Sequence, residues 1–236
     1  MTAKAAKGLA TAIRRELAAL ADPERARGAQ AYLKSEMPCW GVPVPEVRAI
    51  VKRVFSTYPL ESREDLEEAV LAVWTTATRR EERLAAVVMT GDKRAKRFHD
   101  MEILPFYERL IREGAWWDLV DELAAHRLHL VLAAEPAKAK RAMLAWAKSD
   151  DLWVRRSAIL CQISLKGGTD LDLLERTIRP SLGRKEFFLR KAIGWALRSY
   201  AWHDPAWVEA WVRAHEAELA PLSVREALKN VGKARR

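Results

Sequence analysis

The chain is poor in the residues that fix special chemistry or special backbone. Its 236 residues include only two cysteines, Cys39 and Cys161, with no CxxC and no paired spacing. A disulfide framework and a zinc site are both disfavoured, and a reducing, cytoplasmic setting fits. Glycine and proline number ten each, too few for a collagen-like or loop-dominated chain. No apolar run approaches the roughly 18 residues that a membrane span requires. There is no glycine-rich phosphate loop, no GxSxG and no cysteine–histidine pair spaced for nucleophilic work. His126 and His129 lie three apart, but no third ligand has matching spacing, so no metal and no cofactor are expected. No strand-like run, low-complexity tract or linker interrupts the chain, which reads as one domain over 1–236.

What the chain does have is helix formers and positive charge. Alanine, leucine, arginine and glutamate dominate, and half of the residues are apolar. That composition folds, and it folds as helix. The formal charge of +9 favours a polyanionic partner. The opening segment, MTAKAAKGLATAIRREL, has the basic, alanine-rich character of a transit peptide. Ala6, Leu9, Ile13 and Leu17 nevertheless form a helical stripe, so it is read as a first amphipathic helix. Asp22-Pro23, Glu135-Pro136 and Asp204-Pro205 are helix starts. Ser62 with Asp65 and Thr78 with Glu81 resemble capping boxes. These signals predict helices near 3–20, 23–35, 44–57, 63–75, 79–90, 100–113, 116–133, 136–148, 151–166, 170–180, 185–200, 205–216 and 222–233.

Three segments repeat one pattern: VRRSAI from Val154, LRKAIG from Leu189 and VREALK from Val224. The interval is constant, since 189 − 154 = 35 and 224 − 189 = 35. The same step backwards reaches Leu119 and Leu84. A fixed period of this size without strands signals stacked helical hairpins of the HEAT or armadillo kind. The expected fold is therefore all-α, a HEAT-like helical-repeat solenoid (an α-α superhelix).

Equal register implies equal facing. With Val154 as zero, Val154, Ala158, Cys161 and Leu165 share a core stripe, as do Leu189, Ile193, Ala196 and Val224, Leu228, Val231. His126 falls on that stripe too. Arg156 and its period mates Asp121 and Lys191 fall on the other side, at roughly 160–240° with Trp117, Trp195 and Arg198. This register predicts a concave basic groove presenting Trp117 and Asp121, then Arg156, then Lys191, Trp195 and Arg198. Trp74, Trp146, Trp207 and Trp211 lie on apolar patterns and are read as core, and Trp116 as support. The basic run Lys93, Arg94, Lys96, Arg97 is either a solvated loop or a phosphate contact.

These residue types suit one substrate. Arginine and lysine neutralise phosphates. Tryptophan faces attract cations, at roughly 0.5–2 kcal/mol each. A purine alkylated at N3 or N7 is cationic, and its glycosidic bond breaks through an oxocarbenium-like sugar. An aspartate beside that sugar favours the transition state, because positive charge moves onto the sugar as the bond breaks. It can also orient or deprotonate the attacking water. Two other readings stay open on the residues alone. One is a non-catalytic solenoid that binds damaged or branched DNA; the other is a protein-binding scaffold, against which the basic groove argues.

At these positions the chain resembles a known family. WWDLVDEL at 116–123, LWVRRSAILCQ at 152–162, KEFFLRKAIGWALRSYA at 185–201 and LSVREALK at 222–229 are similar to motifs of AlkD-type DNA alkylation-repair glycosylases. AYLK at 31–34 and GVPVPEVR at 41–48 resemble the family's N-terminal pattern. The likeness is strong from about 100 to 232 and looser before that. It implies a HEAT-like fold that excises cationic N3- and N7-alkylpurines from double-stranded DNA. A monomer is the default for a solenoid that wraps DNA, and neither a cofactor nor an obligate protein partner is expected. It implies active-site roles for Trp117, Asp121 and Trp195, and DNA contact for Arg156, Arg198 and Tyr32, with Lys191 on the same face. Pro43 and Ser164 depart from the pattern at positions where some members carry a polar and a basic residue. Those departures bear on DNA affinity and lesion preference rather than on reaction type.

Overall fold

The computed structural model describes residues 3–234. Among them are fifteen α-helices and four short 3-10 helices, and no strand. The protein is all-α. The helices belong to two compact units, one ending at Phe106 and the other starting at Tyr107.

The first unit holds α1 (Ala3–Ala19), α2 (Pro23–Leu33), α3 (Val44–Phe55), α4 (Arg63–Thr76) and α5 (Arg80–Met89). Packing of α1 on α3 and α4, and of α5 on the same two, closes its core. Ile13, Leu17, Ile50, Phe55, Leu66, Trp74 and Met89 are the large side chains sealed there. The predicted stripe of Ala6, Leu9, Ile13 and Leu17 is buried throughout. Helix α2 differs, because none of its residues is fully buried.

Cap chemistry explains the helix starts. Asp22 accepts from the amides of Glu24 and Arg25, and Asp204 from that of Trp207. Ser62 and Asp65 form the reciprocal box. The expected Thr78–Glu81 box is shifted by one residue. Glu82 reaches back to the amides of Thr78 and Arg79. Glu81 turns inward and accepts from the amides of Trp40, Gly41 and Val42. Gly41, at φ +81°, lets that loop pass α2: a Cβ there would lie 2.3 Å from the Asp22 carbonyl oxygen.

The basic run at 93–97 forms a 3-10 helix, Lys93–Phe98. Arg94 donates to the carbonyls of Tyr58 and Phe55, both at 2.8 Å, and Arg97 to those of Leu60 and Glu61. Both arginines therefore tie down the end of α3 and the loop after it, which leaves only Lys93 and Lys96 of the run without these backbone ties.

The second unit carries the repeat. It contains α6 (Leu104–Gly114, mostly in this unit), α7 (Trp117–His126), α8 (Leu128–Ala134), α9 (Pro136–Trp146), α10 (Leu152–Leu160), α11 (Leu171–Ile178), α12 (Phe187–Tyr200), α13 (Pro205–Ala214), α14 (Pro221–Leu228) and α15 (Val231–Ala234). Helices α7, α10, α12 and α14 start at 117, 152, 187 and 221, which are steps of 35, 35 and 34. They pack on one another in that order, as one row. Helices α8, α9 and α11 form a second row, joined to α13 where the Trp211 indole N–H donates to Glu175 at 2.7 Å. The period recurs in small side chains as well. Ser164 donates to the Ala125 carbonyl, and its period mate Ser199 to that of Ile163.

Several expectations change in this unit. The predicted helix 116–133 is two helices, broken at Arg127 (φ −123°, ψ −43°), whose guanidinium turns back to Glu122 at 3.0 Å. Helix α10 ends at Leu160, short of the expected 166. Of the core stripe, Val154, Ala158, Cys161, Leu189, Ile193, Ala196 and Val231 are buried, whereas Leu165 and Val224 are half-buried. Leu228 is 36% exposed, at the point where α14 stops and the chain turns toward α15. His126 is exposed rather than core, because α7 ends there.

Candidate active site

The site begins at the turn between α6 and α7. Ala115 has φ +37°, a left-handed conformation that costs a non-glycine residue about 1–2 kcal/mol. The turn sends the Trp116 ring inward and starts α7 at Trp117. Trp116 packs against Trp153 of α10 and Phe188 of α12, with centroids 5.7 and 5.3 Å away, and Trp153 meets Phe188 at 4.9 Å. Three helices of the row thus share one aromatic cluster. Trp116, read from the sequence as support, packs against rings of both α10 and α12.

An ion pair adjoins this cluster. Arg156 on α10 grips Asp121 on α7 with two parallel bonds, Nε to Oδ1 and a terminal nitrogen to Oδ2, both 2.7 Å. Its remaining terminal nitrogen donates to the Phe188 carbonyl at 2.6 Å. The guanidinium also lies 5.8 Å from the Phe188 ring centre. The side chains are 5% (Arg156) and 14% (Asp121) exposed. Burial pushes the Asp121 carboxyl above the ordinary aspartate range. The Arg156 bonds and charge pull the other way, Asp118 adds to the rise, and the net shift is upward.

Arg156 does not stand open to solvent on the far side of its helix, as its register suggested. Every residue of α10 from Trp153 to Leu160 is buried. Helices α7 and α12 flank it, and α9 and α11 pack on it as well, so α10 has no free side. A half-turn away from the core stripe is still interior here.

Further along the row, Lys191 and Arg198 on α12 meet on one acid, Glu226 of α14. The distances are 3.1 Å from Lys191 Nζ and 2.7 Å from the Arg198 guanidinium. Burial raises the Glu226 pKa, but the Lys191 hydrogen bond and the charges of Lys191, Arg198 and Lys229 outweigh it, so the group lies below the usual glutamate range. Glu226 was not among the residues expected from the sequence. The signal was present, since 191 + 35 = 226 continues the series Asp121, Arg156, Lys191.

Trp117 opens α7 four residues before Asp121, and Trp195 lies on α12 four after Lys191. Both are half-buried. Tyr32 lies in the first unit, on α2, and is 74% exposed. The structure therefore joins Asp121 to Arg156, and Lys191 to Arg198 through Glu226. Pro43 is the N-cap of α3, and Ser164 is engaged with the Ala125 carbonyl. Among the described residues, no three His, Cys, Asp or Glu side chains come together as a metal site, and no helix is long and apolar enough to cross a membrane.

A stacked-helix protein with a buried carboxylate–guanidinium pair against an aromatic wall is the class that fold and site define. The family model for DNA alkylation repair enzymes matches residues 13–231. The chain belongs to that family. Among solved structures, it is similar to a "predicted DNA alkylation repair enzyme" from Enterococcus faecalis. That match has 29% identity and a TM-score of 0.79, and it covers 90% of this chain and 97% of the other. No curated protein matches the chain.

Proposed function

We propose that this protein is a DNA glycosylase that hydrolyses the N-glycosidic bond of cationic N3- and N7-alkylated purines in duplex DNA. The observation that carries the reading is the Asp121–Arg156 pair. A buried ion pair is a poor device for stability, because desolvation offsets the attraction and apolar residues of similar volume do as well or better. Its value is a fixed anion in a place from which water is largely excluded. Arg156 occupies one lone-pair site on each Asp121 oxygen, and a carboxylate has about four. The remaining sites can face an electropositive C1′.

The chemistry follows from charge movement. In the lesion the positive charge sits on the base. As the C1′–N bond breaks, the bonding pair goes to the base, which leaves neutral, and the charge passes to the sugar. Asp121 is stronger beside that transition state than beside the ground state. Water adds to C1′ and its proton passes to Asp121 or to solvent, which yields the abasic sugar. Trp117 and Trp195 supply faces that favour a cationic nucleoside. Lys191 and Arg198 are assigned to phosphates, and Tyr32 to the DNA path. The enzyme acts as a monomer on double-stranded DNA.

One observation favours a second reading, a non-catalytic binder of damaged DNA: Arg156 already engages both oxygens of Asp121. Release of free 7-methylguanine from methylated duplex DNA separates the two. The glycosylase releases base, and Asp121→Asn lowers the rate about 100- to 1,000-fold, the scale of losing one transition-state electrostatic contact. Release that survives Asp121→Asn unchanged removes Asp121 from the mechanism. Salt-sensitive binding without any release establishes the binder.

A further inference from the structure

Glu226 is set into the fold at a place that packing alone does not explain. Its carboxylate is 12% exposed, while the cations it holds are more open, Lys191 at 37% and Arg198 at 23%. The acid is the most buried of the three side chains. Lys191 and Arg198 are seven apart on α12 and share one face with Trp195 between them. The approach of α14 is also built in. Gly194, beside Trp195, lies so close to α14 that a Cβ would stand 2.5 Å from the Glu226 Cβ and 2.9 Å from the Ser223 carbonyl oxygen.

The two ion-pair sites of the row differ in charge. At Asp121 one anion meets one cation, and the third guanidinium nitrogen is bound to a carbonyl. No positive charge is left over, and Asp118 nearby adds a negative one. At Glu226 one anion is paired with two cations, so a single positive charge remains on the group, and Lys229 nearby adds to it. Lys191 carries three donors and Arg198 five, and each spends one on Glu226.

We propose that Glu226 is an internal competitor for phosphate, holding Lys191 and Arg198 in the free protein and setting the affinity and salt dependence of DNA binding at this face of α12. The proposal rests on the DNA-repair reading above. When a phosphate takes the two cations, Glu226 loses their charge and gathers a solvent cation. That uptake cancels part of the counterion release that drives association. A neutral residue at 226 abolishes the cancellation.

The test is binding of a short undamaged duplex, followed by fluorescence anisotropy across a salt series. Glu226→Gln keeps the shape and an acceptor oxygen but removes the charge. It is expected to bind roughly 5- to 10-fold tighter at about 50 mM salt, with a log K versus log salt slope steeper by about one. Lys191→Gln, at a more exposed position that tolerates change, is expected to bind more weakly with a shallower slope. A merely structural pair would alter thermal stability and leave the slope alone. Wild-type affinity and slope in Glu226→Gln overturn the proposal, and so does wild-type behaviour of Lys191→Gln if Glu226→Gln does not fold. If the unaltered protein shows no salt-dependent binding, the DNA-binding reading falls and takes this one with it.

Discussion

Asp121 is a single carboxylate under two opposed influences, and its behaviour should report which one is removed. Burial raises its pKa while Arg156 lowers it. Arg156→Met takes away the lowering influence and leaves burial and Asp118 in place. The folded pKa therefore rises further, and Asp121 stays protonated to higher pH. A base that must be ionised then works only at higher pH, so the acid limb of the single-turnover excision rate shifts upward in Arg156→Met. An unmoved limb would mean that another group controls it. Where Asp121 is ionised the same change should lower stability by about 3–5 kcal/mol, since it strands a buried charge, and by less at lower pH, where the carboxyl is protonated. Cys161 gives a cleaner test. It is 1% exposed, and burial pushes its thiol up to about 12. It should not react with a thiol-specific reagent at pH 8 until the protein is unfolded. At this scale a pairing was legible: the 35-residue step picks out Asp121, Arg156 and Lys191 before any coordinates, and the first two are bonded to each other. The direction of Arg156 was not, because a helical wheel knows one helix and Arg156 is enclosed by neighbours on both sides. Glu226 was legible in principle, one step further along the same series.

Between elements, close approach decides what a glycine is for. Gly194 is buried where α12 meets α14, and a Cβ there runs into backbone. Gly28 lies on exposed α2 with nothing within 4 Å of an added Cβ. Alanine gains up to about 1 kcal/mol over glycine inside a helix, and that gain stands alone at Gly28. Gly28→Ala should therefore raise the thermal midpoint by a few degrees. At Gly194 the overpacking cost of about 1–3 kcal/mol exceeds the gain, so Gly194→Ala should lower it. Equal shifts of the same sign would show that α14 can move aside. The helices themselves were readable from apolar period and caps, and both Asp-Pro starts hold. The break at Arg127 was not readable, because the apolar pattern runs on from α7 into α8 and only the Arg127–Glu122 bond marks the turn. The left-handed Ala115 was hidden too, since a glycine is the usual sign of that conformation.

For the whole molecule the governing quantity is charge, and the formal +9 is an excess that internal ion pairs leave unchanged, because each pair takes one cation and one anion. Many cations are spoken for inside the protein: Arg156 by Asp121, Arg127 by Glu122, Arg63 by Asp100, Arg94 by Asp92. Arg94 and Arg97 also hold backbone carbonyls. Sequence reading counts all of these alike, which is why composition pointed to a polyanion without locating the contact. A protein that neutralised one phosphate per net charge would lose affinity by several orders of magnitude over a modest rise in salt. A duplex covers only part of a protein's surface, so only some of the excess cations can meet phosphates. The affinity for undamaged duplex should then fall about 10- to 100-fold between 50 and 200 mM salt, the response to roughly two to four released counterions. A flat response would place the excess charge away from DNA and leave recognition to the aromatic residues. A response as steep as the formal charge implies would mean that nearly all of the excess cations reach phosphates, so that DNA contacts extend well beyond Lys191 and Arg198 on α12.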